Sequence, residues 1–138
     1  HRAGLRYDEF VKSSLGRPLY EVKANLFKGL SHPVRVRVLE VLAESPTVAV
    51  SDLLNDTGLE ASHLSQHLAV LRKHHLVTAE RRASQVYYRL AYPEVADLLT
   101  VARGLLVQVL ETTQRQLDDA TAEATAASAA TSAATSAR

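Results

Sequence analysis

The chain has no cysteine, no methionine and no tryptophan in its 138 residues. Lacking cysteine, it is expected to form no disulfide, no thiolate metal site and no thiol redox switch. No apolar run approaches the ~18–20 residues of a membrane span, and no charged stretch leads into a short apolar one as in a secretory signal. A soluble, cytoplasmic protein is expected. Methionine is missing from position 1 as well, so the start is expected to be processed or appended. Glycine-rich phosphate loops, nucleophile elbows and paired carboxylates are lacking too. Asp118 and Asp119 are adjacent, so on a helix they diverge rather than converge on a substrate. No enzyme activity and no metal or other cofactor is expected.

What is present suffices for one core, since 46% of the residues are apolar in a length typical of one domain. The net charge of +1 hides a gradient. From Ala61 to Tyr92 the basic residues are Arg72, Lys73, Arg81, Arg82 and Arg89, against Glu80 alone. From Pro93 onward the acids Glu94, Asp97, Glu111, Asp118, Asp119 and Glu123 face only Arg103, Arg115 and Arg138. A basic segment beside an acidic one suits a modest nucleic-acid binder.

Residues 1–17 are an N-terminal extension in which Leu5, Phe10, Val11 and Leu15 hint at a short helix. Leu19, Val22, Leu26 and Leu30 then recur at helical spacing, ending near Gly29 and Ser31. Pro33 suits the first turn of a second helix, where its missing N–H is not needed. Val34, Val38, Val41 and Leu42 make one buried stripe of that helix, and Ser45-Pro46 ends it. Thr47 is placed to cap a short third helix through Leu53 and Leu54. Gly58 can take the positive φ that a tight turn into the next helix, about Glu60 to His74, requires. Two helices joined in this way make a helix-turn-helix. Val77–Arg82 and Val86–Leu90 then pair as strands around Ala83-Ser84-Gln85, a basic hairpin or wing.

Pro93 opens a long last helix with a stripe from Val95 through Leu98, Leu99, Ala102, Leu105, Leu106, Val109 and Leu110. Val101 and Val107 widen it beyond what one core-facing side needs. The surplus calls for a second copy of the chain, with dimerisation through the first and last helices. The Ala/Ser/Thr-rich tail, residues 118–138, is expected to be disordered. Residues 18–117 are expected to form one domain: a mainly α (α+β) winged helix-turn-helix of about five helices with a two-stranded β-hairpin wing.

The stretch ASHLSQHLAVLRKHHLV, residues 61–77, carries the functional argument. Leu64, Leu68 and Leu71 hold one helix face, and Ser62, His63, Ser65, Gln66, His67, Arg72 and Lys73 occupy the rest. A major groove accepts one α-helix, whose N-terminal side chains reach base edges. Gln66 can pair with adenine through two hydrogen bonds, and Ser62 and His63 can meet base edges or phosphates. Ser65, His67, Arg72 and Lys73 are expected on the phosphate backbone. Arg81, Arg82 and Arg89 would reach flanking phosphates or an adjacent minor groove. A polar helix face alone is equally well read as solvated; the preceding turn, the basic hairpin and the dimer-like last helix together favour DNA.

Leu30-Ser31-His32-Pro33 with Arg35 and Val38-Leu39, then Asp52-Leu53, Ser62, Leu64-Ser65, His67-Leu68, Leu71-Arg72, Leu76-Val77 and Tyr88 resemble the arsenic-resistance-repressor (ArsR/SmtB) family of bacterial winged-helix regulators. The resemblance covers about residues 18–112. It implies a homodimer that binds an imperfect inverted repeat in double-stranded DNA, represses transcription and releases on meeting an effector. Members that sense metals by thiolates carry Cys-Val-Cys-Asp-Leu where this chain has Ala49-Val50-Ser51-Asp52-Leu53. Others bind zinc across the last helices with Asp, His and Glu, but no histidine follows His75 here. These departures touch the sensing and leave the DNA binding intact. The effector is left unknown, with a non-metal one or none favoured.

His63 and His67 stand four apart, a spacing that can chelate zinc, but two histidines make half a site. His74-His75 suit a helix C-terminus, where the dipole favours a partly protonated imidazole; pH sensing is the alternative. His32 reads as structural or as a phosphate contact. Arg35 and Arg37 read as solvated, with Arg35 also able to approach DNA. One of Tyr87 and Tyr88 is expected in the core. The reading is a homodimeric repressor of transcription. A protein-interaction module of the same fold, and a metal-responsive regulator with unfamiliar ligands, are the alternatives.

Overall fold

Helix α1 (Leu19–Leu30) and helix α2 (Pro33–Glu44) flank a short break at Ser31 and His32 in a computed structural model that describes residues 15–137. Pro33 begins α2 as expected, and His32 caps it: the ring Nδ1 accepts the Val34 N–H at 3.1 Å. The N-terminal extension, residues 1–17, lies outside the described residues except for its last three, so the helix anticipated there is left aside. Strand β1 (Val48–Ala49), helix α3 (Val50–Thr57), helix α4 (Ala61–Lys73), strands β2 (Val77–Arg82) and β3 (Gln85–Leu90), and helix α5 (Pro93–Ser136) complete the order.

The described residues thus hold five helices and a wing, as expected. The wing is the expected two-stranded hairpin, β2–β3, and the short strand β1 joins it at the other edge of β3. The antiparallel sheet has three strands in the order β1-β3-β2, because Val48 pairs with Tyr88 and Ala49 with Tyr87. The free edge of β3 offers ladder donors and acceptors, and the extended backbone entering α3 satisfies them. Thr47 consequently precedes a strand; Ala49 stands at the N-cap of α3 and makes no side-chain cap bond.

Gly58 adopts φ 68° and its N–H closes on the Leu54 carbonyl, so the α3–α4 turn takes the left-handed residue that the sequence supplies. Leu64, Leu68 and Leu71 of α4 are 0, 3 and 0% exposed, packed with Val38, Leu42 and Leu53 in one core. Leu39, outside the stripe expected for α2, is fully buried as well. Helix α4 ends in a Schellman motif: the Leu76 N–H meets the Leu71 carbonyl and the His75 N–H meets that of Arg72. His75, at φ 59°, occupies the left-handed position usual for glycine. The β2–β3 turn does the same at Ala83, φ 53°.

The described chain divides into two units between Ala96 and Asp97. Val95 is buried within the first. In the second, α5 displays Val101, Leu105, Leu106, Val109, Leu110 and Leu117, each at least half exposed. Residues 118–138, expected to be disordered, are helical as far as Ser136. Alanine loses the least on entering a helix, and its abundance here extends the helix without tertiary packing. Threonine hydroxyls at 121, 131 and 135 bond back to carbonyls four residues earlier.

Candidate nucleic-acid interface

The three buried leucines of α4 turn its other face outward, which exposes Ser62, His63, Ser65 and Gln66 in the first turns and Arg72 and Lys73 in the last. Glu60 stands at the N-cap without a side-chain cap bond, which leaves the leading N–H groups of α4 beside these polar side chains. Arg72 is also within 5.9 Å of the Tyr88 ring. Tyr88 is the buried member of the tyrosine pair, at 5% exposure, which ties the end of α4 to the base of the wing.

Register sorts the wing arginines by face. Arg82 opposes Gln85, and Arg89 opposes Thr78, on the side that also carries Tyr87 and Glu80. Arg81 opposes Val86, on the side that carries Tyr88. All three arginines are exposed. Arg82 lies 5.1 Å from the Tyr87 ring centroid and 3.1 Å from Glu80. That hydrogen bond raises the arginine and lowers the carboxylate from their ordinary pKa values. The one acid of the basic segment therefore neutralises one of its cations.

His67 sits apart from its exposed neighbours. It is half-buried, its ring centroid is 4.2 Å from that of His32 at a 42° tilt, and its Nδ1 lies 3.3 Å from Arg35 Nη1. Arg35 donates further from Nε to the Gly29 carbonyl at 2.7 Å and from Nη2 to that of Lys28 at 3.2 Å. Burial holds the His67 imidazole below the usual histidine range, and His32, Arg35 and His63 push the same way. His74 is lowered too, by burial first and then by Lys73, Arg35 and His75. The His74 ring lies against Gly29, where a Cβ would meet its Cγ and Cδ2 at 2.7 Å.

Sequence reasoning missed these junctions. Arg35 engages three groups, and Arg37, expected in solvent, binds both carboxylate oxygens of Asp56 at 2.8 Å, joining α2 to α3. Asp56 is lowered and Arg37 raised, chiefly by that bond. Among the described residues, no group of three or more His, Cys, Asp or Glu side chains is placed to hold a metal ion. Nor is any described helix long and apolar enough to cross a membrane.

Residues 32–79, from the cap of α2 into β2, match the family model described as bacterial regulatory protein, arsR family. The HTH-type transcriptional regulator Rv0081 of Mycobacterium tuberculosis (strain H37Rv) is 45% identical over 105 residues, which is 76% of this chain and 92% of that protein. The chain belongs to the ArsR family. It is a transcriptional regulator with a winged helix-turn-helix DNA-binding fold, as the resemblance implied. The crystal structure of Rv0081 superposes with a TM-score of 0.65 at 47% identity, over 70% of this chain and 96% of that one. A solution structure of the homodimeric winged helix-turn-helix domain Mb0332 from Mycobacterium bovis gives 0.62 at 30% identity, over 68% and 86%. The repressor BigR from Xylella fastidiosa gives 0.57 at 34%, over 71% and 94%. Within this ArsR-family fold, the two positions that lack cysteine fall at the end of β1 (Ala49) and in the first turn of α3 (Ser51).

Proposed function

We propose that this ArsR-family chain is a homodimeric repressor that acts on double-stranded DNA in the cytoplasm. Each α4 enters a major groove of an imperfect inverted repeat, and each wing holds flanking phosphates. The observation that carries the reading is the exposed row of Ser62, His63, Ser65 and Gln66 on α4, backed by buried leucines. Gln66 reads adenine, Ser62 and His63 contact bases or phosphates, and Ser65, Arg72 and Lys73 hold the backbone. Arg81, Arg82 and Arg89 do the same outside the half-site. The exposed apolar band of α5 supports pairing with a second copy, in line with the homodimeric state of Mb0332. Half-sites are then about one helical turn apart, ~34–36 Å. Repression is supported by the Xylella fastidiosa relative, a biofilm growth-associated repressor 40% identical over 76 residues. Ala49 and Ser51 in place of cysteines, and no histidine beyond His75, favour a non-metal effector or none.

The test is fluorescence anisotropy on DNA from just upstream of the chain's own gene, beside a random duplex of equal length, over a salt series. A preference on the order of a thousandfold is expected, with affinity for both duplexes falling steeply with salt. Equal, weak binding to both would refute sequence reading by α4 at that site and turn the search to a protein partner.

A further inference from the structure

Helix α1 ends with carbonyl oxygens that have no partner inside the helix. The Arg35 side chain meets two of them, at Lys28 and Gly29, and sends its third nitrogen to His67 on the recognition helix. A guanidinium carries donors only. The contact with His67 is therefore a hydrogen bond only while His67 Nδ1 accepts, with a neutral ring whose proton is on Nε2. His32 is held to the same state, because its Nδ1 accepts the Val34 N–H at 3.1 Å. Two imidazoles at 4.2 Å thus both make bonds that require them to be neutral.

The groups that act on His67 are His32 and Arg35 at the start of α2 and His63 on its own helix; none is acidic. From α1, the carbonyls of Lys28 and Gly29 orient Arg35. At the far end of α4, His74 feels Lys73, His75 and again Arg35. A proton on His67 removes the acceptor and sets a second cation against the guanidinium, and among the described residues no carboxylate acts on His67 to absorb it.

We propose that Arg35 is a positioning residue for the recognition helix, and that its bond to neutral His67 is a latch which protonation of His67 opens, weakening operator binding. The proposal rests on the DNA-reading role of α4. It also reassigns His67, which serves the latch instead of a phosphate. Its sign is diagnostic. Each protonated histidine on a DNA-facing surface adds a cation for phosphate and strengthens binding, whereas the latch predicts weaker operator binding in acid.

Two measurements on the full chain test it. Imidazole 15N spectra of the free protein should show His67 and His32 as Nε2–H tautomers at pH 7.5. Anisotropy on the upstream duplex, at fixed ionic strength, should show affinity falling at least about twofold between pH 7.5 and 5.5. His67→Asn, whose amide oxygen can accept in place of Nδ1 but cannot titrate, should lose that fall in acid. Arg35→Lys, which retains the charge without the three-way fork, should bind more weakly at pH 7.5 with a smaller pH dependence. Selective binding that strengthens or stays level in acid, or a His67 ring protonated at Nδ1 at pH 7.5, would overturn the latch. Absence of selective binding at pH 7.5 by wild type would instead overturn the DNA-reading role, while the spectra still decide the protonation state on which the latch depends.

Discussion

Gly29→Ala is the substitution for which tertiary structure reverses the expectation from helix chemistry. Gly29 lies one residue before the end of α1. Replacing glycine by alanine within a helix ordinarily stabilises by up to about 1 kcal/mol, and by less near an end. Here the new Cβ would meet His74 Cγ and Cδ2 at 2.7 Å and His74 Cβ at 3.1 Å. These atoms are the root of the side chain, so relief requires moving the end of α4 or rotating the ring out of its packing. Forcing extra volume into a packed contact costs about 1–3 kcal/mol. The collision therefore outweighs the propensity gain, and a net loss of about 1 kcal/mol is expected. Urea unfolding of wild type, Gly29→Ala, His74→Ala and the double variant forms a complete cycle. With His74 truncated, Gly29→Ala should become neutral or stabilising, giving a coupling of about 1–3 kcal/mol. If Gly29→Ala is at least as stable as wild type while His74 is present, the argument fails.

Other residues give independent tests. Ala83→Gly removes the left-handed strain at φ 53° in the wing turn; a gain of about 1 kcal/mol is expected in thermal unfolding, and a loss would show that the turn is unstrained. In DNA binding, Gln66→Ala should lower discrimination between operator and random duplexes, whereas Arg81→Ala should weaken both alike; equal scaling in both variants would contradict the division between base and phosphate contacts. Stability should also depend on pH. Burial holds His67 and His74 below the histidine range, so the unfolded chain, titrating near ~6.5, takes up more protons than the folded one as pH falls. The unfolding midpoint should be level above about pH 7.5 and decline below about 6.5, before the carboxylates begin to titrate. A level midpoint down to pH 5.5 would contradict the neutral-histidine assignment.

The sequence by itself determined the helix-turn-helix and its two faces. Leu64, Leu68 and Leu71 recur at helical spacing, Gly58 marks the left-handed turn, and the β-branched and aromatic run after Arg82 marks the return strand of the wing. Each is a local signal, set by backbone period and turn geometry within a few residues. Strand β1 escaped notice because two residues cannot establish a period, and its pairing with Tyr87 and Tyr88 comes from far along the chain. The extent of α5 escaped for the opposite reason: an Ala/Ser/Thr run carries no stripe to read, and alanine propensity alone carries the helix on. Only the tertiary structure decided which polar residues remain available to a partner. Ser62, Ser65 and Gln66 stay exposed, whereas His67, on the same helix, is taken up by Arg35 at a sequence separation of 32. Arg37 is taken up by Asp56 at a separation of 19. Helical period assigns a residue to a face, but the neighbours brought to that face by packing determine whether its hydrogen bonds are spent within the fold or left for a ligand.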